Sequence, residues 1–129
     1  LWVSLREEPV VYICGLPYVL RNMDRPFQNL EYTGIEHERV HQMEARLKAD
    51  VLAEAAAHHS SVVLHDEDDT GHLFAKCVRL QPADVLTCPE VFAQLAGSPS
   101  APPQYRVLYQ RVPVTDERAP EPKDFDQLT

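Results

Sequence analysis

The longest periodic pattern in this 129-residue chain is an apolar stripe between residues 35 and 58. Its members recur at steps of three and four, the spacing of one face of an α-helix. The run 53–57, AEAAA, adds high helix propensity. Glu44 and Lys48 stand four residues apart and are expected to form an ion pair on the exposed face. The sequence therefore predicts one long helix that buries Val40, Met43, Leu47, Val51 and Ala55.

Apolar runs rich in β-branched and aromatic residues lie on both sides of this helix and predict strands. The segment 10–20 predicts a strand followed by a tight hairpin, because Gly15, Leu16 and Pro17 have turn character. Strands that alternate with helices favour an α/β fold with a mostly parallel sheet flanked by helices. The strand at 105–112 is expected to be central. The predicted strands cover residues 1–5, 10–14, 18–20, 60–65, 72–80 and 105–112.

Two shorter helices are predicted towards the end of the chain. Thr87 is a good N-cap, Pro89 and Glu90 suit a first helical turn, and Gly97 ends the helix. A loop follows at 97–103, and residues 124–129 begin a further helix. Because the chain opens on strand-like residues and stops within a helix, we expect residues 1–129 to be a single partial domain, incomplete at the C-terminus.

Composition and charge argue against several classes of partner. The chain has 20 acidic and 12 basic residues, a net charge of -8, and 44% hydrophobic residues, enough for a packed core. An acidic surface does not suit nucleic acid, and no apolar run approaches the roughly 20 residues of a membrane span. Cys14, Cys77 and Cys88 show no CxxC spacing and cannot all pair. Reduced thiols and a cytoplasmic location are therefore expected.

Two stretches contain the residue types that bind metals. Residues 37–41, HERVH, match H-E-x-x-H, in which two histidines on one helix face hold zinc and the glutamate acts as a base. Arg39 would place a permanent charge beside that metal, and the pattern is interpreted as a solvated helix start. The acidic run 66–69 lacks the spacing of a calcium loop and is interpreted as a solvated turn. No metal or cofactor is expected, and a zinc hydrolase is the weakest alternative.

Cysteine catalysis on phosphate esters needs a Cys-x5-Arg loop, in which backbone N–H groups and the arginine surround the phosphate. Cys14 and Arg21 come close to this pattern, but six residues separate them, and the intervening GLPYVL lacks the glycines of such a loop. Neither Cys77 nor Cys88 has the pattern. No catalytic thiol is therefore expected among these residues.

Asp116 is the carboxylate that attracts most interest. It lies in YQRVPVTDERAPEPKDFD, residues 109–126, on a proline-rich loop directly after a strong strand. A carboxyl group on a stiffened loop beyond a strand end is well placed to act as a general acid. Most loop aspartates are solvated or cap a helix, so the residues by themselves leave both possibilities open.

Four stretches, in order along the chain, together resemble the domain family of paladin and the protein-tyrosine-phosphatase-like phytases. The order and spacing match from end to end, and LREEP is more similar to the paladin branch than to the secreted bacterial phytases. The stretches are WVSLREEPVVYICGLPYVLR, RPFQNLEYTGIEHERVHQMEARLKADVLAEA, TCPEVFAQL and YQRVPVTDERAPEPKDFDQL.

The resemblance implies a cysteine-phosphatase fold. In that family a signature cysteine attacks phosphorus, an arginine holds the phosphate oxygens, and an aspartate on a mobile loop protonates the leaving oxygen. The resemblance places Asp116 at the general-acid position. It gives Arg6 and Glu7, of LREEP, a role in substrate binding or in bracing the signature loop. Since the signature loop does not occur in these residues, this chain alone is expected to be inactive.

The expected function is that of the N-terminal part of a phosphatase-like domain. The parent would hydrolyse phosphomonoesters, either inositol polyphosphate or phosphotyrosine, through a cysteinyl-phosphate intermediate. Its expected partners are a phosphorylated small molecule or phosphoprotein and the remainder of the phosphatase domain. The alternative is a pseudophosphatase, a regulatory interaction module that binds without turnover.

Overall fold

The computed structural model of the protein describes residues 1–98 and 107–128. Residues 99–103 of the loop predicted at 97–103 lie outside these ranges, as do Tyr105 and Arg106, the first residues of the last predicted strand. Within them the helices are α1 (His37–Ala57), α2 (Cys88–Ala96) and α3 (Pro122–Leu128), with a 3₁₀ turn at Pro82–Asp84. The strands are β1 (Trp2–Arg6), β2 (Val10–Ile13), β3 (Leu16–Val19), β4 (Ser61–Glu67), β5 (Leu73–Arg79), β6 (Val85–Thr87) and β7 (Tyr109–Val114).

The expected mostly parallel sheet is not what the described strands form. Antiparallel pairing joins β2 to β3, β2 to β6 and β4 to β5. Cys14 and Gly15, both with positive φ, form the two-residue turn between β2 and β3, and residues 68–72 join β4 to β5. Connections this short join antiparallel neighbours, because a parallel crossover needs a dozen or more residues. Mixed α/β structure is thus correct, but the parallel arrangement is confined to β1 and β7 among the described residues.

Strands β1 and β7 pair in parallel across most of the chain length, with Trp2 opposite Tyr109. The register shifts by one residue between Ser4 and Arg6. Pro113 lies at this shift and has no N–H to donate to the ladder, which is why strands place proline at such irregularities. Among the described strands β7 has β1 as its neighbour, so the central position expected for it is not observed.

The predicted long helix is confirmed as α1, and it buries the predicted stripe. Val40 and Ala55 are buried, and Met43, Leu47 and Val51 are partly buried. The helix packs on β2, β4, β6 and β7. Its C-terminal half contacts the core cluster formed by Val11, Ile13, Ala55, Val62, Leu80 and Val85.

The prediction that Glu44 and Lys48 form an ion pair on the exposed face of α1 is wrong. Glu44 has no exposed surface and accepts hydrogen bonds from Arg111 Nη2 at 2.7 Å and from the Val10 backbone N–H at 3.0 Å. Lys48 donates instead to Glu90, with both Nζ–O distances at 2.8 Å. Glu44 lies about one helical turn after the buried Val40 and therefore faces the interior.

The shorter helix α2 begins and ends as predicted. The Thr87 side chain accepts a hydrogen bond from the Glu90 backbone, and the Glu90 carboxylate accepts one from the Thr87 N–H at 2.7 Å. This reciprocal cap satisfies two backbone donors that a helix start leaves free. Helix α3 starts two residues earlier than predicted. In the part of the chain that the structure describes, none of the helices has the length and apolarity of a membrane span.

Candidate functional site

The carboxyl ends of β1 and β7 lie side by side and open into a cleft. Parallel strands finish at the same edge of a sheet, so the residues that follow them meet there. Arg6, the last residue of β1, pairs with Val114, the last residue of β7. An open cleft next to this pair is lined by Leu5 and Arg6 and by residues 114–118. Arg6 and Asp116, both selected from the sequence, therefore share one cleft.

Arg6 pairs with Glu8 and not with Glu7. Arg6 Nη2 lies 2.9 Å and Nε 3.3 Å from Glu8 Oε2. Strand β1 ends at Arg6, and Glu8 lies at a bend just after it. Glu7 is buried, and its Oε2 has no hydrogen-bond partner among the described residues. The ion pair of the LREEP segment thus joins Arg6 to Glu8.

A continuous series of hydrogen bonds connects Arg6 to Asp116. Glu8 Oε1 accepts from Arg21 Nη1 at 2.6 Å, and Arg21 Nη2 donates to Asn29 Oδ1 at 2.9 Å. Asn29 Nδ2 in turn donates to Asp116 Oδ2 at 2.7 Å. Glu8 is buried and is shared by two arginines, which makes these bonds charge-assisted. We call Arg6, Glu8, Arg21, Asn29 and Asp116 the cleft network.

Asp116 lies in a tight turn immediately after β7. The Thr115 carbonyl accepts a hydrogen bond from the Arg118 N–H at 3.2 Å. Glu117 has a φ of 61°, in the left-handed region that residues other than glycine rarely adopt. Backbone strain of this kind clusters at functional sites. The turn presents the exposed side chain of Asp116 to the cleft.

Tyr32 approaches the cleft network from the loop that also carries Asn29. Partial burial raises the pKa of Tyr32, and the nearby negative charge of Glu8 raises it further, with Arg21 acting in the opposite direction. The phenol is therefore neutral at physiological pH and can act as a hydrogen-bonding group beside the charged network.

A buried ion pair connects strand β7 to helix α1. Arg111 Nη2 lies 2.7 Å from Glu44 Oε1, and the two side chains are 1% and 0% exposed. Arg111 Nε also donates to the Tyr109 hydroxyl at 3.1 Å. Burial would lower the pKa of Arg111, but the Glu44 carboxylate reverses this and the pKa is raised. The pair fixes β7 against α1 a few residues before the turn that carries Asp116.

The HERVH histidines lie next to this ion pair. The His41 ring is 6.2 Å from the Tyr109 ring and 6.1 Å from the His37 ring, centroid to centroid. Burial lowers the pKa of His41, and the positive charge of Arg111 lowers it further. The cation that acts on His41 is thus Arg111 rather than Arg39. Among the described residues no three His, Cys, Asp or Glu side chains are arranged to hold a metal ion.

Carboxylates of the acidic run at 66–69 form hydrogen bonds within the hairpin that joins β4 to β5. Asp68 Oδ1 accepts hydrogen bonds from the Thr70 hydroxyl at 2.6 Å and from the His72 backbone N–H at 3.0 Å. These bonds lower the pKa of Asp68. Asp66 Oδ2 lies 2.5 Å from Lys76 Nζ. The partners of Asp66 and Asp68 therefore explain these two carboxylates as cross-strand and turn residues.

The three cysteines are free and lie apart from the cleft. Cys14 and Cys77 are exposed and Cys88 is buried. Burial raises the pKa of Cys88 to about 11, with a further contribution from Glu44. A thiol with that pKa is protonated at neutral pH and is a poor nucleophile.

The family model of the protein-tyrosine-phosphatase-like phytases, described by the words inositol hexakisphosphate, matches residues 3–129. The chain belongs to the protein-tyrosine-phosphatase-like phytase family. Paladin of Gallus gallus is 30% identical over 128 residues, which cover 99% of this chain and 13% of that protein. No solved structure matches the chain. The resemblance found in the sequence is confirmed, and the chain carries a phosphatase-like domain.

Several residues at the cleft of this protein-tyrosine-phosphatase-like phytase domain were not found from the sequence. Glu8 carries no separate sequence signal, because strand β1 ends at Arg6 and Glu8 lies at the bend that follows. Arg21 was considered only as a partner of Cys14. Asn29 carries no sequence signal, since its hydrogen bond to Asp116 spans 87 positions.

Proposed function

We propose that this chain provides the general-acid side of a cysteine-phosphatase site in a protein that hydrolyses phosphomonoesters. The observation that carries the proposal is the meeting of Arg6 and Asp116 at one cleft beyond β1 and β7. Family membership supports the reaction class. Residues 1–129 contain no Cys-x5-Arg sequence. The nucleophile and the phosphate-binding arginine would therefore come from a segment outside these residues.

The proposed reaction has two steps, and Asp116 transfers a proton in each of them. The signature thiolate attacks phosphorus, and the ester oxygen leaves with its bonding electrons and takes a proton from the Asp116 carboxyl group. Water then attacks the cysteinyl phosphate and gives a proton to the Asp116 carboxylate, which releases inorganic phosphate and restores the thiolate. An alkoxide is a poor leaving group, so its protonation is worth roughly 10²–10⁴-fold in rate.

Arg6 and Glu7 are proposed to brace the signature loop or its phosphate. The Arg6 side chain is 53% exposed, lines the cleft and uses Nε and Nη2 on Glu8. A guanidinium held this way can donate to a phosphate oxygen or a loop carbonyl. Glu7 would accept a donor from the remainder of the domain, because its buried Oε2 has no partner among the described residues.

The proposed substrate is an inositol polyphosphate or a phosphotyrosine. The description of the matching family supports the first. The net charge of -8 suits a chain whose phosphate-binding cradle lies in another segment. A cytoplasmic location is part of the proposal, and the unpaired exposed thiols of Cys14 and Cys77 support it.

The test uses the full-length protein and compares two substrates. Asp116→Asn keeps the shape of the side chain but cannot give up a proton. It should lower kcat on an alkyl phosphate by roughly 10²–10⁴-fold, with little change in KM. On an aryl phosphate whose phenol is acidic, the loss in kcat/KM should be much smaller, because kcat/KM reports the first step and that group leaves without protonation. Steady-state kinetics on both substrates measures the difference.

Glu117→Gln is the matched control, since Glu117 is the adjacent exposed carboxylate. It should leave the alkyl-phosphate rate near that of the unmodified protein. A normal rate in Asp116→Asn together with a large loss in Glu117→Gln would assign the acid to Glu117. No turnover by the unmodified protein on any phosphomonoester would favour the pseudophosphatase alternative.

A further inference from the structure

Asn29 joins two parts of the cleft network that are far apart in sequence. Its Oδ1 accepts from Arg21 Nη2 at 2.9 Å, and its Nδ2 donates to Asp116 Oδ2 at 2.7 Å. Arg21 is itself held by Glu8, at 2.6 Å between Nη1 and Oε1. The Asn29 amide is therefore the link between the braced arginines and the turn that carries Asp116.

The two neighbours of Asn29 determine which way its amide points. An arginine can only donate, so the amide oxygen must face Arg21. The amide nitrogen then faces Asp116 and donates to one of its carboxylate oxygens. This engages Asp116 Oδ2 and leaves Oδ1 as the oxygen that can carry a proton to a ligand in the cleft. An acid held by one oxygen keeps its orientation without losing its function.

We propose that Asn29, oriented by Arg21, is a positioning residue that holds the Asp116 turn at the cleft. The turn needs such a tie because Glu117 occupies a left-handed conformation and residues 116–118 are exposed. The catalytic consequence rests on the general-acid role proposed above for Asp116. The mechanical consequence, an ordered turn, does not depend on that role.

The expected effect is modest, because a hydrogen bond of this kind contributes roughly 2- to 10-fold to an equilibrium. In the full-length protein, Asn29→Ala should speed hydrogen exchange of the backbone amides at 115–118 by that factor. The kcat/KM for an alkyl phosphate should fall by a similar factor, whereas the kcat/KM for an aryl phosphate with an acidic phenol should not, because kcat/KM reports only the first step. Asn22→Ala is the matched control, since Asn22 lies in the same loop and its side chain accepts a local bond from the Asp24 N–H.

A reversed pair separates the hydrogen bond from the charge. Asn29→Asp should speed exchange at 115–118, because two carboxylates would then face each other. Combining Asn29→Asp with Asp116→Asn should restore slow exchange, because the new amide can donate to the new carboxylate. The restored turn should still be slow on the alkyl phosphate, since it has no proton to give.

Two outcomes separate the positioning proposal from the proposed function. Exchange at 115–118 that is equal in Asn29→Ala and Asn22→Ala overturns the positioning role, whatever the turnover is. Normal alkyl-phosphate turnover in Asp116→Asn overturns the general-acid role and with it the catalytic consequence for Asn29, whatever the exchange rates are.

Discussion

At the scale of single residues, the buried carboxylate of Glu44 connects α1 to other elements, unlike the exposed side chains beside it on the helix. Its carboxylate accepts from Arg111 and from the Val10 backbone, so it joins α1 to β7 and to the start of β2. A buried ion pair contributes little net stability compared with apolar residues of the same size, but removing one partner leaves the other charge buried and unpaired. The pair is therefore better understood as fixing where β7 lies than as a source of stability.

Replacing one partner of this pair should be costly, and replacing both should be much less so. Glu44→Leu is expected to lower the free energy of unfolding by about 3–5 kcal/mol, because Arg111 keeps its charge in an apolar setting. Adding Arg111→Met should recover much of that loss. Chemical denaturation of the unmodified protein, the single variant and the double variant measures both effects. Equal stability of the single and double variants would show that the pair is not coupled.

His41 gives a prediction about pH. Its pKa is lowered below the ordinary 6.5 by burial and by Arg111, so the unfolded chain binds a proton more readily than the folded one. The contribution of His41 to the free energy of unfolding is complete above about pH 6.5, and it is lost as the pH falls below that value. The stability of the protein should therefore decline towards pH 5 less steeply in His41→Gln than in the unmodified protein. An NMR titration of His41 with a midpoint above 6.5 would contradict the assignment.

At the scale of elements, α1 carries the main packing surface of the described residues. Leu47 is partly buried and packs against the core cluster. Leu47→Ala should destabilise the protein by about 2 kcal/mol, the lower end of the range for leucine truncation. Arg46→Ala is the control on the same helix, because the Arg46 side chain is 85% exposed. It should change stability by less than about 0.5 kcal/mol. Similar effects in both variants would show that the stripe is not core.

The start of α2 gives a second prediction at this scale. Thr87 and Glu90 cap each other's backbone, and Glu90 also pairs with Lys48 of α1. Thr87→Ala should cost about 1 kcal/mol through the lost cap. Thr87→Ser should cost less, because its hydroxyl can still accept from the Glu90 N–H. Urea denaturation compares the two, and an equal loss would mean that the Thr87 methyl group, not the cap, matters.

At the scale of the whole molecule, the cleft is the place where remote parts of the chain meet. Residues of the first strand, the loop after β3 and the turn after β7 form one hydrogen-bonded network. The cysteines stand outside it. Cys14→Ser, Cys77→Ser and Cys88→Ala should therefore leave the turnover of the full-length protein unchanged in steady-state assays. Loss of a trapped phosphoenzyme in any one of them would place the nucleophile within these 129 residues.

The sequence by itself determined the local structure of this protein. The stripe from Val40 to Ala55 predicted α1, and Thr87, Pro89 and Glu90 predicted the start of α2, because side-chain period and capping act within a few residues. The family, and with it the phosphatase-like domain, followed from the order of its motifs. Strand direction was also partly accessible, since the turns between β2 and β3 and between β4 and β5 are too short for parallel pairing.

The tertiary structure alone decided which charged residues meet. Glu44 seemed to be an exposed partner of Lys48, and it became buried because β7 brings Arg111 against the same face of α1. Arg6 pairs with Glu8, and both Arg21 and Asn29 belong to the cleft network. Asn29 donates a hydrogen bond to Asp116, which lies 87 positions away in the sequence. Contacts of this kind depend on how elements pack, and packing distances between remote residues leave no local pattern in the sequence.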